Sequence, residues 1–192
     1  MRSNHHLTLK DEEIIAKIRK ENNPQLFETL YTRYYRRVMD KSYSLLKDKA
    51  LAEDATRDIL SKAFEKLDQY KGQSTFSSWL YSITYNHCID FLRLKKRLHY
   101  PEWNKNHDIP EIVDDAEEEF PDISYDHLEM ILEMIHPEEK TLLLMRYEHN
   151  LSFKQIGMSL RISESAAKMR IKRAKARVLY HFKDLMANMQ AG

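Results

Sequence analysis

Apolar side chains recur along most of the chain at three- and four-residue steps, which is the spacing of one face of an α-helix. Long alternating patterns typical of β-strands do not occur in the sequence. The first part predicts a helix over Asp11–Glu21, a second that Pro24 starts, a third over 51–70 and a fourth over 75–97. We therefore expect an all-α protein whose first module is a four-helix unit.

The helical pattern resumes at Ser124 and ends in two helices that are separated by a short turn. Ser152 and Gln155 form the pattern of a capping box, which begins the first of these helices. After the turn, Ser163 can cap the second. Its inward positions recur at four- and three-residue steps and are Ala167, Ile171, Ala174 and Val178. Two helices with a tight turn between them predict a helix-turn-helix module.

The segment between the two modules differs in composition. Between Pro101 and Ile123 there are nine acidic residues against Lys105 alone, a net charge of −8, together with three prolines. Such a segment is unsuited to a packed core and indicates an acidic linker. We therefore expect an N-terminal helical domain at 1–98, a flexible linker at 99–123 and a C-terminal helix-turn-helix domain at 124–192.

Basic residues concentrate in the last predicted helix, although the whole chain has a net charge of only +1. Residues 161–183 contain eight basic side chains against Glu164, a local net charge of +7, which is typical of phosphate binding. One side of the helix, away from its apolar face, carries Lys168, Met169, Lys172 and Arg173. This side could lie in a major groove. An ordinary solvated helix is the alternative, and the capped helix before it favours duplex binding.

Residues 74–86 are rich in aromatic and hydroxyl side chains at a loop-to-helix junction. Aromatic rings can stack on unpaired bases for about 1–3 kcal/mol each, and the nearby basic run that includes Arg93 and Lys96 can neutralise phosphates. Trp79 and Asn86 lie two turns apart on one helical face and could frame an extruded base. Core packing is the alternative for Trp79, whereas a buried Asn86 would need hydrogen-bond partners.

Three segments, 52–58 (Ala-Glu-Asp-Ala-Thr-Arg-Asp), 76–83 and 151–156, resemble extracytoplasmic-function (ECF) RNA polymerase sigma factors in order and spacing. The resemblance covers roughly 25–97 and 137–179. It implies that the first module docks on the clamp helices of the largest polymerase subunit and opens the promoter at its minus-ten element. The second module would read the minus-thirty-five element, and the linker would pass through the RNA-exit path.

The resemblance also implies roles for individual residues. The clamp-facing positions would be Asp54, Arg57, Asp58 and Ser61. The strand-separation and base-capture surface would comprise Phe76, Trp79, Tyr85 and Asn86, with Arg93 and Lys96 beside it. The duplex-reading positions would be Ser165, Lys168, Met169, Lys172 and Arg173. Arg161 stands where the family usually has a turn glycine, so either this position does not require a positive φ or the turn is strained.

Composition argues against several other classes of protein. Three glycines leave little room for a nucleotide-binding loop. Cys88 is the single cysteine, which excludes an intramolecular disulfide and a cysteine-based zinc cluster and fits a reducing compartment. There is neither a signal-peptide pattern nor an apolar run of about 18 residues. We therefore expect a cytoplasmic protein without membrane insertion, metal or cofactor.

Two other functional classes remain open. His87 and Asp90 come closest to a catalytic pair, but their spacing is more typical of a structural hydrogen bond, so we do not expect an enzyme. A helix-turn-helix regulator acting on duplex DNA without polymerase would leave the aromatic block unexplained. A protein whose helices bind a partner helix would show salt-insensitive binding. The resemblance favours core RNA polymerase and promoter DNA as partners, and it allows an anti-sigma factor as a third.

Overall fold

A computed structural model of the chain describes residues 9–21, 23–95 and 123–190. Within these ranges the regular structure is entirely helical, and the chain divides into two compact units, Met1–Arg97 and Leu98–Gly192. The predicted all-α fold with two helical modules is confirmed. Residues 99–122 of the expected linker and the candidate site residue Lys96 lie outside the described residues.

The first unit is built from four α-helices, as its apolar pattern predicts. They are α1 (Asp11–Glu21), α2 (Phe27–Leu46), α3 (Lys49–Glu65) and α4 (Phe76–Leu94). The Asp48 side chain accepts the Leu51 N–H at 3.0 Å and so caps α3, and Thr75 caps α4 in the same way. The four-residue spacing predicts one inward face for the third helix, and its residues Ala55, Ile59, Ala63 and Leu67 are all buried.

The second and third helices differ from the predicted bounds. Pro24 begins a short 3₁₀ turn, Pro24–Leu26, and α2 starts only after it. The third helix was expected to reach residue 70, but α3 ends at Glu65 and a 3₁₀ turn follows at Leu67–Gln69. The Arg19 guanidinium of α1 donates to the Leu67 and Tyr70 carbonyls at 2.7 and 2.6 Å. We attribute the early end to these contacts from α1, which local periodicity cannot reveal.

The second unit packs its long last helix against three shorter ones. Its α-helices are α5 (Tyr125–Met134), α6 (Pro137–Leu143), α7 (Phe153–Leu160) and α8 (Glu164–Gln190). A π-helical turn, Leu144–Glu148, follows α6, and α8 contacts α5, α6 and α7. The Arg146 guanidinium lies 4.6 Å from the centre of the Phe153 ring, which fastens the turn to α7. None of the helices in the described ranges has the length and apolarity needed to cross a membrane.

The thiol of Cys88 is fully buried in the first unit, and burial raises its pKa to about 11. Because the thiolate is the reactive form, we predict that Ellman's reagent labels the native protein very slowly. Urea should restore labelling as the first unit unfolds. Moving from neutral to mildly alkaline pH should speed labelling of the unfolded chain far more than of the folded chain. Rapid labelling of the native protein would contradict this placement of Cys88.

Candidate nucleic-acid interface

The turn between α7 and α8 is unusually tight. Ser152 and Gln155 form the predicted reciprocal capping box, which begins α7. At the other end of α7, Arg161 adopts a left-handed conformation with φ +56°, so the turn needs a positive φ without a glycine. We estimate a cost on the order of 1 kcal/mol for this residue. The carbonyl of Gly157 accepts the N–H groups of Arg161 and Ile162, which closes the turn.

Gly157 is required at this turn by close approach of the backbone. A Cβ atom added there would lie 2.8 Å from the Ile162 carbonyl oxygen, closer than real Cβ contacts occur. Ser163 then accepts the Ala166 N–H at 3.1 Å, so it caps α8 as predicted. The helix-turn-helix geometry therefore depends on a glycine that the capping pattern did not single out.

The inward and outward faces of α8 are those that the sequence predicts. Its apolar positions are fully buried, namely Ala167, Ile171, Ala174 and Val178. On the outward side, Ser165, Lys168 and Met169 are exposed, whereas Lys172 and Arg173 are half-buried. The five candidate duplex-reading residues thus lie in the first turns of one capped helix, which is where a recognition helix contacts base edges.

Among the eight basic residues counted from the sequence, Arg170 and Arg177 pair with buried acids of the same unit. Arg177 Nε lies 3.2 Å from the carboxylate oxygens of Glu139, and Arg170 Nη1 lies 3.6 Å from Glu138 Oε2. Both carboxylates are buried on α6, with Glu138 3% and Glu139 0% exposed. The full local charge of +7 is therefore not available to phosphates.

Glu138 and Glu139 stand in the first turn of α6, where acids complement the helix dipole. Glu139 does cap α6, since its Oε2 accepts the His136 N–H at 3.3 Å. A usable signal was the spacing of Glu139 from Leu142 and Leu143, both buried on the same short helix. That spacing places the carboxylate on the core side of α6.

An aromatic cluster joins the start of α4 to the rest of the first unit. The Phe76 ring lies 5.5 Å from Tyr34, 5.7 Å from Tyr70 and 5.6 Å from Trp79, measured between ring centroids. The Tyr70 hydroxyl also donates to the Ser74 carbonyl at 2.8 Å, which holds the loop before α4. Edge and tilted contacts of this kind each contribute about 0.5–1.5 kcal/mol beyond burial.

The cluster corrects the predicted base-capture surface. Phe76 is 1% and Tyr85 0% exposed, so neither ring is presented to an incoming base. Each belongs to the core because it fills the space between α2 and α4. Trp79 and Asn86 are half-buried on the outer face of α4, as the helical spacing predicts. Arg93 is exposed near the end of the same helix, 3.6 Å from Asp90.

The outer face of α3 carries the four positions that were expected to face the polymerase clamp. Asp54, Arg57, Asp58 and Ser61 are all exposed, and Arg57 donates to Asp54 at 2.5 Å. The sequence pattern placed these side chains correctly on the solvent side of the helix.

His87, which the sequence suggested could pair with Asp90, also contacts a lysine. Its Nδ1 lies 2.9 Å from Lys62 Nζ of α3, and burial together with Lys62 lowers the pKa of His87. A neutral imidazole that accepts from Lys62 fastens α4 to α3, which is a structural role. Across the described ranges, no group of three or more histidine, cysteine, aspartate or glutamate side chains could hold a metal ion.

Comparison with known families assigns both units. A family model described as Sigma-70 region 2 matches residues 30–98, and one described as Sigma-70, region 4 matches residues 125–178. Each match contains one of the two candidate DNA surfaces. The chain belongs to the sigma-70 family. The predicted resemblance to ECF sigma factors is confirmed, because curated ECF members match most of the chain.

Curated relatives of this sigma factor include YlaC and SigW from Bacillus subtilis (strain 168). RNA polymerase sigma factor YlaC is 24% identical over 150 residues, which cover 77% of this chain and 87% of the relative. ECF RNA polymerase sigma factor SigW is 25% identical over 183 residues, which cover 86% and 94%. Among solved structures, the sigma factor RpoE from Bartonella quintana, crystallised with the anti-sigma factor NepR, is 18% identical with a TM-score of 0.53. The match covers 82% of this chain and 96% of RpoE, and it shows likeness of fold.

We predict that Gly157→Ala destabilises the C-terminal unit of this sigma factor by about 1–3 kcal/mol, because the added Cβ forces the turn to shift. Urea unfolding followed by circular dichroism measures the effect. Met158→Ala is the matched control, since Met158 is exposed on the same helix. Equal unfolding free energies for the two variants would show that the close approach is not a constraint.

Proposed function

We propose that this sigma factor binds core RNA polymerase, recognises promoter DNA and promotes strand opening at the start of transcription. The observation that carries the proposal is that two candidate DNA surfaces of different chemistry each lie in a unit that matches a sigma-70 region. One is a capped cationic helix, and the other is an aromatic face beside a basic run. Duplex and melted strand need different surfaces of this kind.

The duplex reader is α8. Its first turns carry Lys168, Lys172 and Arg173 on the side away from the core, where they can reach phosphates and base edges. Ser165 and Met169 lie between them and can make short-range contacts in the major groove. The capping of α8 by Ser163 fixes the helix start, so the reading positions begin at a defined point.

The single-strand surface is centred on Trp79 and Asn86 of α4, with Arg93 and Lys96 as phosphate contacts. Trp79 is held by Tyr70 and Phe76, so its ring is oriented before any base arrives. Phe76 and Tyr85 act in this proposal as supports below the surface and do not touch the strand. Stacking on one ring contributes about 1–3 kcal/mol, enough to shift a near-balanced melting equilibrium.

The polymerase-binding surface is the exposed face of α3, with Asp54, Arg57, Asp58 and Ser61 as the contact positions. We propose the domain bounds 1–98 and 124–192, with 99–123 as an acidic connector that follows the RNA-exit path. The protein acts in the cytoplasm, without an active site or cofactor of its own. An anti-sigma factor is a further partner, because RpoE is solved with NepR.

Transcription in vitro with core polymerase tests the proposal. Start sites that appear only when this chain is added would support it, and sequencing them would define the promoters.

Asp58→Arg should weaken association with core polymerase, because it reverses a charge on the exposed face of α3. Asp68→Arg, an exposed position after that helix, is the control. A chain that fails to associate with core polymerase would instead be a free-standing duplex regulator.

We predict that Trp79→Ala lowers promoter opening by roughly one to two orders of magnitude while initial duplex binding changes little, because a stacking platform is lost. Permanganate footprinting of the holoenzyme reports opening, and gel shift reports binding. Tyr43→Ala removes an exposed ring from α2 and is the control. Slow labelling of Cys88 in the variant would verify that the first unit is folded. Equal losses in opening and binding would contradict the assigned role.

Removing a phosphate contact should change the salt dependence of duplex binding. For Lys168→Ala we predict weaker binding and a slope of log affinity against log salt that is shallower by about 0.9. Fluorescence anisotropy of a labelled promoter duplex over a range of KCl concentrations measures the slope. Lys66→Ala removes an exposed lysine from the other unit and should leave it unchanged. An unaltered slope for Lys168→Ala would remove that residue from the interface.

A further inference from the structure

We propose that Glu138 and Glu139 are positioning residues that set the rotation of α8 about its axis and so determine how sharply the helix discriminates DNA sequences. They act through Arg170 and Arg177 and do not touch DNA themselves. This inference rests on the proposed function of α8 as the duplex reader. It concerns which face α8 presents to DNA, whereas the duplex-reading residues of α8 determine what that face contacts.

The contacts form two attachment points along one flank of α8. Arg170 and Arg177 are seven residues apart, so they lie on nearly the same side of the helix and roughly 10 Å apart along its axis. Each meets a different carboxylate of α6, at 3.6 Å and 3.2 Å. The buried apolar stripe sets the approximate rotation of α8, and two contacts on one flank further resist rolling of the helix.

Glu139 also connects this attachment to the start of α6. Its carboxylate faces Arg177 and accepts the backbone N–H of His136, the N-cap residue of α6. The carboxylate is 0% exposed, so its alternatives to these two partners are few. Through Glu139, Arg177 of α8 is therefore held by the backbone at the start of α6 and not only by another flexible side chain.

The energetics favour an orienting role over a stabilising one. Burial raises the pKa of Glu139, and the opposing effects of Arg177 and the His136 N–H do not cancel it. A carboxyl whose folded pKa is raised contributes stability that is present below its unfolded pKa and lost as pH rises through the folded pKa. Ionising Glu139 in the folded unit thus costs stability, as burying a charged pair often does. The contribution of the Glu139 carboxylate is instead a defined position for Arg177 of α8.

The pairs also decide which cations are available to phosphate. Arg170 and Arg177 are engaged on the α6 flank, whereas Lys168, Lys172 and Arg173 lie on the outward side. Phosphate contacts carry no sequence information, so each added cation raises non-specific affinity. Holding two guanidinium groups against buried acids therefore limits non-specific binding while it fixes the reading face.

The test compares specific with non-specific duplex binding in the full chain assembled with core polymerase. The wild-type complex first selects its preferred duplex from a random pool, and a scrambled duplex serves as the non-specific probe. The variant is the double substitution Glu138→Gln and Glu139→Gln, which keeps side-chain shape and one of the two acceptor oxygens of each residue but removes the negative charge. The control is Glu133→Gln, which removes one charge from a more exposed glutamate of α5 that pairs with Lys140 at 2.5 Å.

For the double variant we expect the ratio of specific to non-specific affinity to fall about tenfold, comparable to one lost base contact. Non-specific binding should hold or rise, with a salt slope at least as steep as in the wild type. The melting temperature should change by only a few degrees. Glu133→Gln should leave the ratio unchanged.

Two results would overturn the inference while leaving the duplex reader intact. One is an unchanged affinity ratio in the double variant. The other is an equal loss of specific and non-specific binding with a large fall in melting temperature, which would mean that the acids only hold the unit together. A wild-type selection that enriches no sequence would overturn the proposed reader itself, and this inference with it.

Discussion

Two buried carboxylates of α6, Glu138 and Glu139, pair with Arg170 and Arg177 of α8. A buried carboxylate must be paired, because an isolated charge in the interior costs several kcal/mol. Once the two guanidinium groups meet this requirement, the face of α8 opposite the apolar stripe is the one left for DNA. The position of the candidate duplex-reading surface thus follows from the need to pair the buried carboxylates.

The turn before α8 obeys a similar constraint from the backbone. Gly157 allows the chain to approach within a distance that no side chain would tolerate, and Arg161 accepts a left-handed conformation to complete the reversal. Some stability is lost at Arg161. In exchange, α7 and α8 meet at a fixed angle, with each helix start defined by a serine cap. With a fixed angle between them, α7 can support α8 while α8 lies in the major groove of DNA.

In the first unit, packing decides which aromatic rings remain accessible. The core takes up Phe76 and Tyr85 completely, and it leaves Trp79 half-buried with Tyr70 beside it. A ring supported on one side and open on the other suits stacking better than a freely rotating one, because less entropy is lost on binding. The same packing that stabilises the unit therefore prepares the surface on which melted DNA is proposed to stack.

Helical periodicity in the sequence determined the all-α class, the two modules and the main faces of the helices. It placed the buried stripe of α8 and the exposed position of Asp58 correctly, because one helical repeat relates all of these residues to a common axis. Local capping chemistry determined the starts of α7 and α8, since a serine and the three residues after it contain the whole interaction.

Only the tertiary structure decided matters that join distant residues. Arg19 meets the end of α3 from 48 positions away, and Arg177 meets Glu139 across 38, so no local pattern contains either contact. The local charge count did not distinguish arginines that pair with buried acids, and the family resemblance placed the buried Phe76 on the base-capture surface. Side chains become buried in the core only when the helices pack together, because burial is a property of the assembled unit and not of any one segment.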